Sequence, residues 1–479
     1  MTRSVGRAFA LLLILVAAAG ENDAGKGAPI LSAAERSDLR DSPNSGELDG
    51  DLPTFVDQKR LREMQDEGKR EGLASKSSNG CRPNALGPSS DPSAPMPFLD
   101  VAARVKGRDF PSVFQAWSPV QRINPSPFGP SSALPEDDAG IARHDLSFLF
   151  PHTLGLRPNN SCSGLATGFT PESVETGLSH RKRILAANPN AILLLSIFYF
   201  EAPPSYLPES SSWWLRDPGS GERKLDPYGY NLYLLDYSNP ELQDRIATLC
   251  REAVRSGVFD GCMFDNWTQD DKGRVELVAR VRRSIGEDAL ILVNVNSRKP
   301  FLTAPYINGM YMEGFNTDNF WKSDQQGWML AQENLEWAKK NLRSPAFAAL
   351  EVFYAHSRSD PRDLQMMRAS SALALTQSAY ILFGDPDDAK KVPPVNHLHD
   401  WYPFWDKGLG RPRGEAVTAQ GPDGGYIYRE FSGGTVVFNP PWNQTAKIDF
   451  VDSERTSRAT RITARRHDVP AGDGDIFIK

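Results

Sequence analysis

Cysteine and histidine are scarce in this 479-residue chain, with four of the first and seven of the second. There is no CxxC pair and no His-rich spacing, so no metal site is expected; His397 and His399, beside Asp400, stand in a Pro-flanked loop without a third ligand. A Gly-x-Ser-x-Gly segment is also missing, which removes the nucleophile elbow of serine hydrolases. No glycine-rich phosphate loop follows the first predicted strand, which counts against a doubly wound nucleotide-binding sheet, and no cofactor is expected. Positive charge is not in excess: a net charge of −6 and a pI near 5.8 leave no broad basic surface for nucleic acid. The one long apolar run, Ala8 to Ala19, is shorter than the roughly 20 residues a spanning helix needs, so stable membrane insertion is not expected.

That run has another meaning. Arg3 and Arg7 precede it and Ala17-Ala18-Ala19-Gly20 closes it, which reads as a signal peptide over residues 1–20 and a secreted or extracytoplasmic protein. Residues 21–96 are rich in Ser, Gly, Pro and charge, with a charged helical candidate only near Val56 to Glu71, and read as a disordered linker. In an oxidising compartment the four cysteines permit three pairings. Cys250 and Cys262 fall on a predicted helix and strand, where buried free thiols are common, and Cys81 with Cys162 is one of the pairings left open.

After Pro97 short apolar runs alternate with helical periodicity, the pattern of repeated βα units. Strands are predicted at Val113 to Trp117, Leu146 to Phe150, Ala191 to Phe200, Gly257 to Phe264, Ala289 to Val295, Gly309 to Met312, Ala346 to Phe353 and Ser378 to Phe383. Helices are predicted at Pro171 to Ala187, Pro240 to Ser256, Asp271 to Ile285, Gln326 to Leu342 and Pro361 to Thr376. This is the order of a (β/α)₈ TIM barrel over residues 97–401. From Tyr402 the pattern turns strand-like, with a hairpin around Ser432-Gly433-Gly434, and predicts a small β-sandwich-like domain over residues 402–479.

In such barrels the chemistry sits just after the strands. Asp265 follows the fourth apolar run, in Asp260-Gly261-Cys262-Met263-Phe264-Asp265-Asn266-Trp267, and Glu313 follows the sixth, in Tyr311-Met312-Glu313-Gly314. Glycosidic cleavage needs one carboxyl group to protonate the leaving oxygen and one to attack the anomeric carbon or activate water. Asp265, on the shorter side chain, is the candidate nucleophile; Glu313, among Tyr311, Met312 and Phe315, is the candidate acid. The alternative for either is a structural ion pair or a helix cap.

The segments Asp236-Tyr237-Ser238-Asn239-Pro240, Asp260 to Trp267 and Met312-Glu313-Gly314 resemble the glycoside hydrolases called hypothetical glycosyl hydrolase family 15 and, more distantly, the endo-α-1,4-polygalactosaminidase family, over roughly residues 110–440. The resemblance implies the barrel, Asp265 as nucleophile and Glu313 as acid/base, and no particular substrate. Trp117, Tyr199, Asn266, Trp267, Asn294, Asn296, Glu351 and Asp385 are the substrate-binding candidates, with Asp145, Glu201 and Tyr354 as weaker strand-end residues. The expected protein is a secreted glycoside hydrolase acting on a polysaccharide or glycoconjugate with retention. A non-catalytic carbohydrate-binding barrel is the alternative.

Overall fold

The computed structural model describes residues 81–82, 84, 100–117, 124–126, 129–131, 138–227, 232–314, 325–356, 360–384, 397, 399–419 and 425–479. The predicted signal peptide, nearly all of the predicted linker, its helical candidate and Asp385 lie outside the described residues.

Eight parallel strands form one sheet: β1 (Phe114–Ala116), β2 (Leu146–Leu149), β3 (Ile192–Ile197), β4 (Gly261–Phe264), β5 (Leu290–Asn294), β6 (Gly309–Met312), β7 (Phe347–Phe353) and β8 (Tyr380–Gly384). A parallel bridge from Val113 to Ile381, with Ile381 N–H donating to the Ser112 carbonyl at 3.0 Å, closes the sheet into a barrel. Each sequence-predicted strand is present. Several are shorter than their apolar runs, because residues such as Val258, Phe259 and Tyr199 are buried beside the ladder without joining it.

Helices α1 (Val101–Gly107), α2 (Asp138–Ala142), α3 (Pro171–Ala187), α4 (Pro240–Arg255), α5 (Lys272–Ile285), α6 (Gln325–Asn341) and α7 (Pro361–Thr376) belong to the barrel segment. The two short ones had no readable period. The starts of α4 and α7 follow from Asx-Pro pairs: Asn239 accepts from the N–H groups of Glu241 and Leu242, Asp360 from that of Arg362, and proline occupies the first turn, where its missing N–H costs nothing. Aromatic rings fill the barrel interior, with Tyr311 5.5 Å from Phe114 and 5.1 Å from Phe148, centroid to centroid.

The block from Asp260 to Trp267 spans β4 from end to end. At its entry, a Cβ on Gly261 would lie 1.9 Å from the Leu290 carbonyl oxygen, so only glycine lets β4 approach β5 here. Asp260 is fully buried; it accepts from Leu193 N–H at 2.9 Å, from Arg181 at 2.6 Å and from both terminal nitrogens of Arg104. Burial opposes its charge, but Arg181 and Arg104 outweigh it and hold the carboxyl below the usual range. Asp260→Ala, which strands two buried guanidinium groups, should cost about 3–5 kcal/mol in urea unfolding. In the wild type the stabilisation from this depressed carboxyl is complete above its unfolded pKa of about 3.9 and is lost as pH falls through the lower folded value.

The C-terminal segment forms an antiparallel sheet whose central strands are Ile427–Glu430, Gly434–Asn439 and Asp473–Ile478; the hairpin at Ser432-Gly433 is the one predicted. It packs on α7, where Arg368 donates to Asp473 at 2.9 and 2.6 Å.

Candidate active site

The C-terminal ends of β4, β5, β6 and β7 bring four polar side chains together. Asn294, the last residue of β5 and fully buried, stands at the centre. Its Nδ2 donates to Asp265 Oδ1 at 2.8 Å and to Glu313 Oε2 at 2.5 Å. The two carboxylate oxygens therefore lie no more than 5.3 Å apart, the sum of those two distances. One amide fixes both groups, which neither strand could do alone.

Asp265 is half-buried and also accepts from the Asn266 N–H at 2.7 Å. Burial raises its pKa to about 6, against the opposing pull of the Asn294 and Asn266 hydrogen bonds and of His397. Glu313 is 3 % exposed, and its Oε1 has no hydrogen-bond partner. Burial, followed by the charges of Asp265 and Glu351, pushes its pKa well above the carboxylate range, while His397 and the Asn294 hydrogen bond pull it down. The two acids thus share one amide, and burial raises the proton affinity of both, which suits a carboxyl that must carry a proton to a leaving oxygen.

Glu351 points inward from β7, fully buried, and accepts from the Tyr311 hydroxyl and from His397 Nδ1, the latter at 2.9 Å. Trp117 is 1 % exposed, donates to Ser196 Oγ at 2.8 Å, and packs its ring 4.9 Å from His397. Tyr199 donates to the Asn266 carbonyl at 2.9 Å and receives Arg274 Nε at 3.1 Å. Trp117, Tyr199, Glu201, Asp265 and Asn266 line one small pocket. A recess of about 1010 Å³ adjoins it and shares Phe150, Ser196, Ile197 and Phe198 with it.

Trp267 departs from its expected role. It is 1 % exposed, its Nε1 donates to Thr303 Oγ1 at 3.3 Å, and its ring packs against Tyr199 and Phe264, so it supports the floor rather than offering a face to a sugar. Asp145 lies at the opposite end of the barrel, where it accepts from Lys407 Nζ at 2.5 Å. Asn266 and Asn296 both hold left-handed backbone, with φ of 51° and 49°. Short polar side chains tolerate that region best, and such conformations collect at functional loops. Asn296 is half-buried and donates its N–H to Asn294 Oδ1 at 3.3 Å. Asn266 Nδ2 donates to Glu201 at 3.2 Å, so this side chain is folded into the floor.

His397 is the residue that sequence reasoning passed over. Read as part of a loop, it is fully buried, with Nδ1 on Glu351 and Nε2 3.4 Å from Glu313 Oε1. Glu313, Glu351 and His397 thereby bring three ligand-type atoms within 4.8 Å of one another. A cation taken up there would occupy the oxygen that an acid needs for its proton.

Glu201 carries a further expectation. It is 3 % exposed, its Oε2 has no partner, and burial, then the charges of Asp265 and Asp226, raise its pKa strongly. A raised carboxyl contributes stability at low pH that is lost as pH rises through the folded value. Glu201→Gln should therefore melt above wild type at pH 8 and level with it at pH 4; a melting difference independent of pH would refute this.

No protein-family model and no curated protein sequence matches the chain. Its structure is similar to the ligand-free cyclic α-maltosyl-(1→6)-maltose hydrolase from Arthrobacter globiformis, with 13% identity over 78% of this chain and 98% of that one and a TM-score of 0.48. It is also similar to a noncanonic maltogenic α-amylase from Thermotoga neapolitana (11% identity, 77% and 96% covered, TM-score 0.44) and to the Nostoc punctiforme debranching enzyme (12%, 81% and 100%, 0.44).

Proposed function

We propose that this chain is a secreted glycoside hydrolase that cleaves O-glycosidic bonds of a polysaccharide or glycoconjugate by double displacement with retention. The observation that carries the reading is the Asn294 amide, which holds Asp265 Oδ1 and Glu313 Oε2 within 5.3 Å of each other, the sum of its two hydrogen bonds. Retaining enzymes place their carboxyl groups about 5–5.5 Å apart, whereas inverting ones leave about 6.5–9.5 Å for a water. The raised proton affinity of Glu313 and the resemblance carried by Asp260 to Trp267 support the same reading.

In the first half-reaction Asp265 attacks the anomeric carbon as Glu313 gives its proton to the departing oxygen. In the second, Glu313 takes a proton from water, and the resulting hydroxide displaces Asp265. The recess beside the pocket suits a substrate longer than one sugar. The disulfide between Cys81 and Cys162, with Cys250 and Cys262 buried as free thiols, supports passage through an oxidising compartment, as the N-terminal segment suggests.

The test is reducing-sugar release from a polysaccharide panel, with NMR of the first product's anomeric configuration. Release with retention supports the proposal. Release with inversion removes the double displacement, and binding without release by the wild type favours a carbohydrate-binding barrel.

A further inference from the structure

The buried imidazole between two acids has no role in the scheme above, and its geometry gives it one. Both ring nitrogens of His397 face carboxylate oxygens: Nδ1 lies 2.9 Å from Glu351 Oε1 and Nε2 lies 3.4 Å from Glu313 Oε1. The Nδ1 contact is a hydrogen bond, whereas the Nε2 contact is an ion-pair distance without hydrogen-bond geometry, so what links the ring to Glu313 is charge rather than a donated bond. Glu351 is in turn fixed by the Tyr311 hydroxyl, and the ring is wedged against Trp117, so the imidazole has a set orientation. We propose that His397 is a positioning residue for the acid/base cycle of Glu313: held by Glu351 as an imidazolium, it is the buried positive charge against which Glu313 releases and regains its proton.

The need for such a charge follows from the surroundings. Among the described residues, the titratable groups facing Glu313 are Asp265 from the end of β4, Tyr311 from β6, Glu351 from β7 and His397 from beyond β8, with neutral Asn294 from β5. Among the described residues, those facing His397 include Glu313, Glu351, Asp265, whose pKa it lowers, and His399, whose Nδ1 lies 3.2 Å from the His397 carbonyl oxygen. When Glu313 gives up its proton, Asp265 is bonding to the sugar and losing its charge, so the new negative charge appears on buried Glu313, and His397 is the group set between it and Glu351. The Glu313 O–H bond breaks as the leaving oxygen gains its O–H; later a water O–H breaks and the Glu313 O–H re-forms. His397 keeps both of its protons throughout. Burial first, and then Asp265 and Glu351, hold the Glu313 proton on, while His397 is the largest influence in the other direction.

The inference rests on the acid/base role proposed for Glu313, so its first test needs no substrate. In the full chain labelled with ¹⁵N-histidine, both ring nitrogens of His397 should be protonated at pH 6, and Glu351→Gln should move their deprotonation to lower pH. A neutral His397 ring at that pH in the wild type would overturn the proposal whether or not any variant folds. With δ-¹³C-glutamate, the Glu313 signal, assigned by its loss in Glu313→Gln, should titrate about one pH unit or more higher in His397→Gln, the scale on which an adjacent opposite charge acts. An unmoved midpoint would overturn the proposal as well. If the hydrolase reading holds, the alkaline limb of kcat/KM should move up with it in His397→Gln; a purely structural role would lower the plateau and leave the limb in place. Loss of hydrolase activity as a reading, with the NMR shifts intact, would leave His397 as the counter-charge of Glu313 and remove only its catalytic use.

Discussion

Asp265→Asn is expected to reduce kcat/KM on a responsive polysaccharide by on the order of 10⁴-fold, the scale seen when one member of a catalytic unit is removed. The amide keeps the size and shape of the carboxylate but cannot serve as the attacking oxygen. The pocket around it should survive, because an amide oxygen can still accept from Asn294 Nδ2 and the Asn266 N–H, the two donors that hold Oδ1. Substrate affinity should therefore persist while turnover falls, and this split separates a nucleophile from a structural carboxylate. The pH profile carries a related expectation. With the Asp265 pKa raised to about 6, the carboxylate needed for attack is lost as pH falls through that value, so kcat/KM should decline on the acidic side near pH 6. Glu313, held well above the carboxylate range, sets the alkaline side. Because the two acids share one amide, the apparent values belong to the pair. A variant with full kcat/KM would move the nucleophile elsewhere.

How much of this was readable from the residues differs by position. The barrel was, because each buried strand is a short apolar run and Pro171, Pro240 and Pro361 mark helix starts that the structure repeats residue for residue. The block Asp260 to Trp267 was readable as a motif but not as two functions: Asp260 and Gly261 serve packing at the strand's entry, and Asp265 and Asn266 stand at its mouth. Strand alternation could also have flagged Tyr311, two residues before Glu313 and so on the same face of β6. Trp267 was misread because an aromatic residue after a catalytic candidate looks the same in sequence whether its ring faces the cleft or the floor. His397 was beyond reach. It stands after the last strand in a segment without period, and its meaning comes from Glu313 and Glu351, which are 84 and 46 residues away in the chain and meet it only when the barrel closes.

Glu313→Gln should lower hydrolysis of a natural glycan by about 10²–10⁴-fold, the usual contribution of a positioned proton donor. The loss should depend on the leaving group. A sugar alkoxide must be protonated to depart, whereas an aryl oxide with a low pKa leaves without help, so an activated aryl glycoside should be nearly spared in its first half-reaction. Its second half-reaction still needs a base to deprotonate water, and the glycosyl-enzyme on Asp265 should accumulate as a burst of aryl alcohol. Azide, which attacks without a base, should then restore turnover and yield a glycosyl azide of retained configuration. The amide also bears on the proton argument directly. Gln can accept from Asn294 through its oxygen, as Glu313 Oε2 does at 2.5 Å, but presents no titrating group to His397. The alkaline limb should vanish on the activated substrate, while the acidic limb near pH 6, which belongs to Asp265, stays. Equal losses on natural and activated substrates, with no azide rescue, would assign Glu313 to the architecture of the pocket and leave the proton donor to be sought in Glu201, the other buried carboxyl with an unpartnered oxygen beside Asp265.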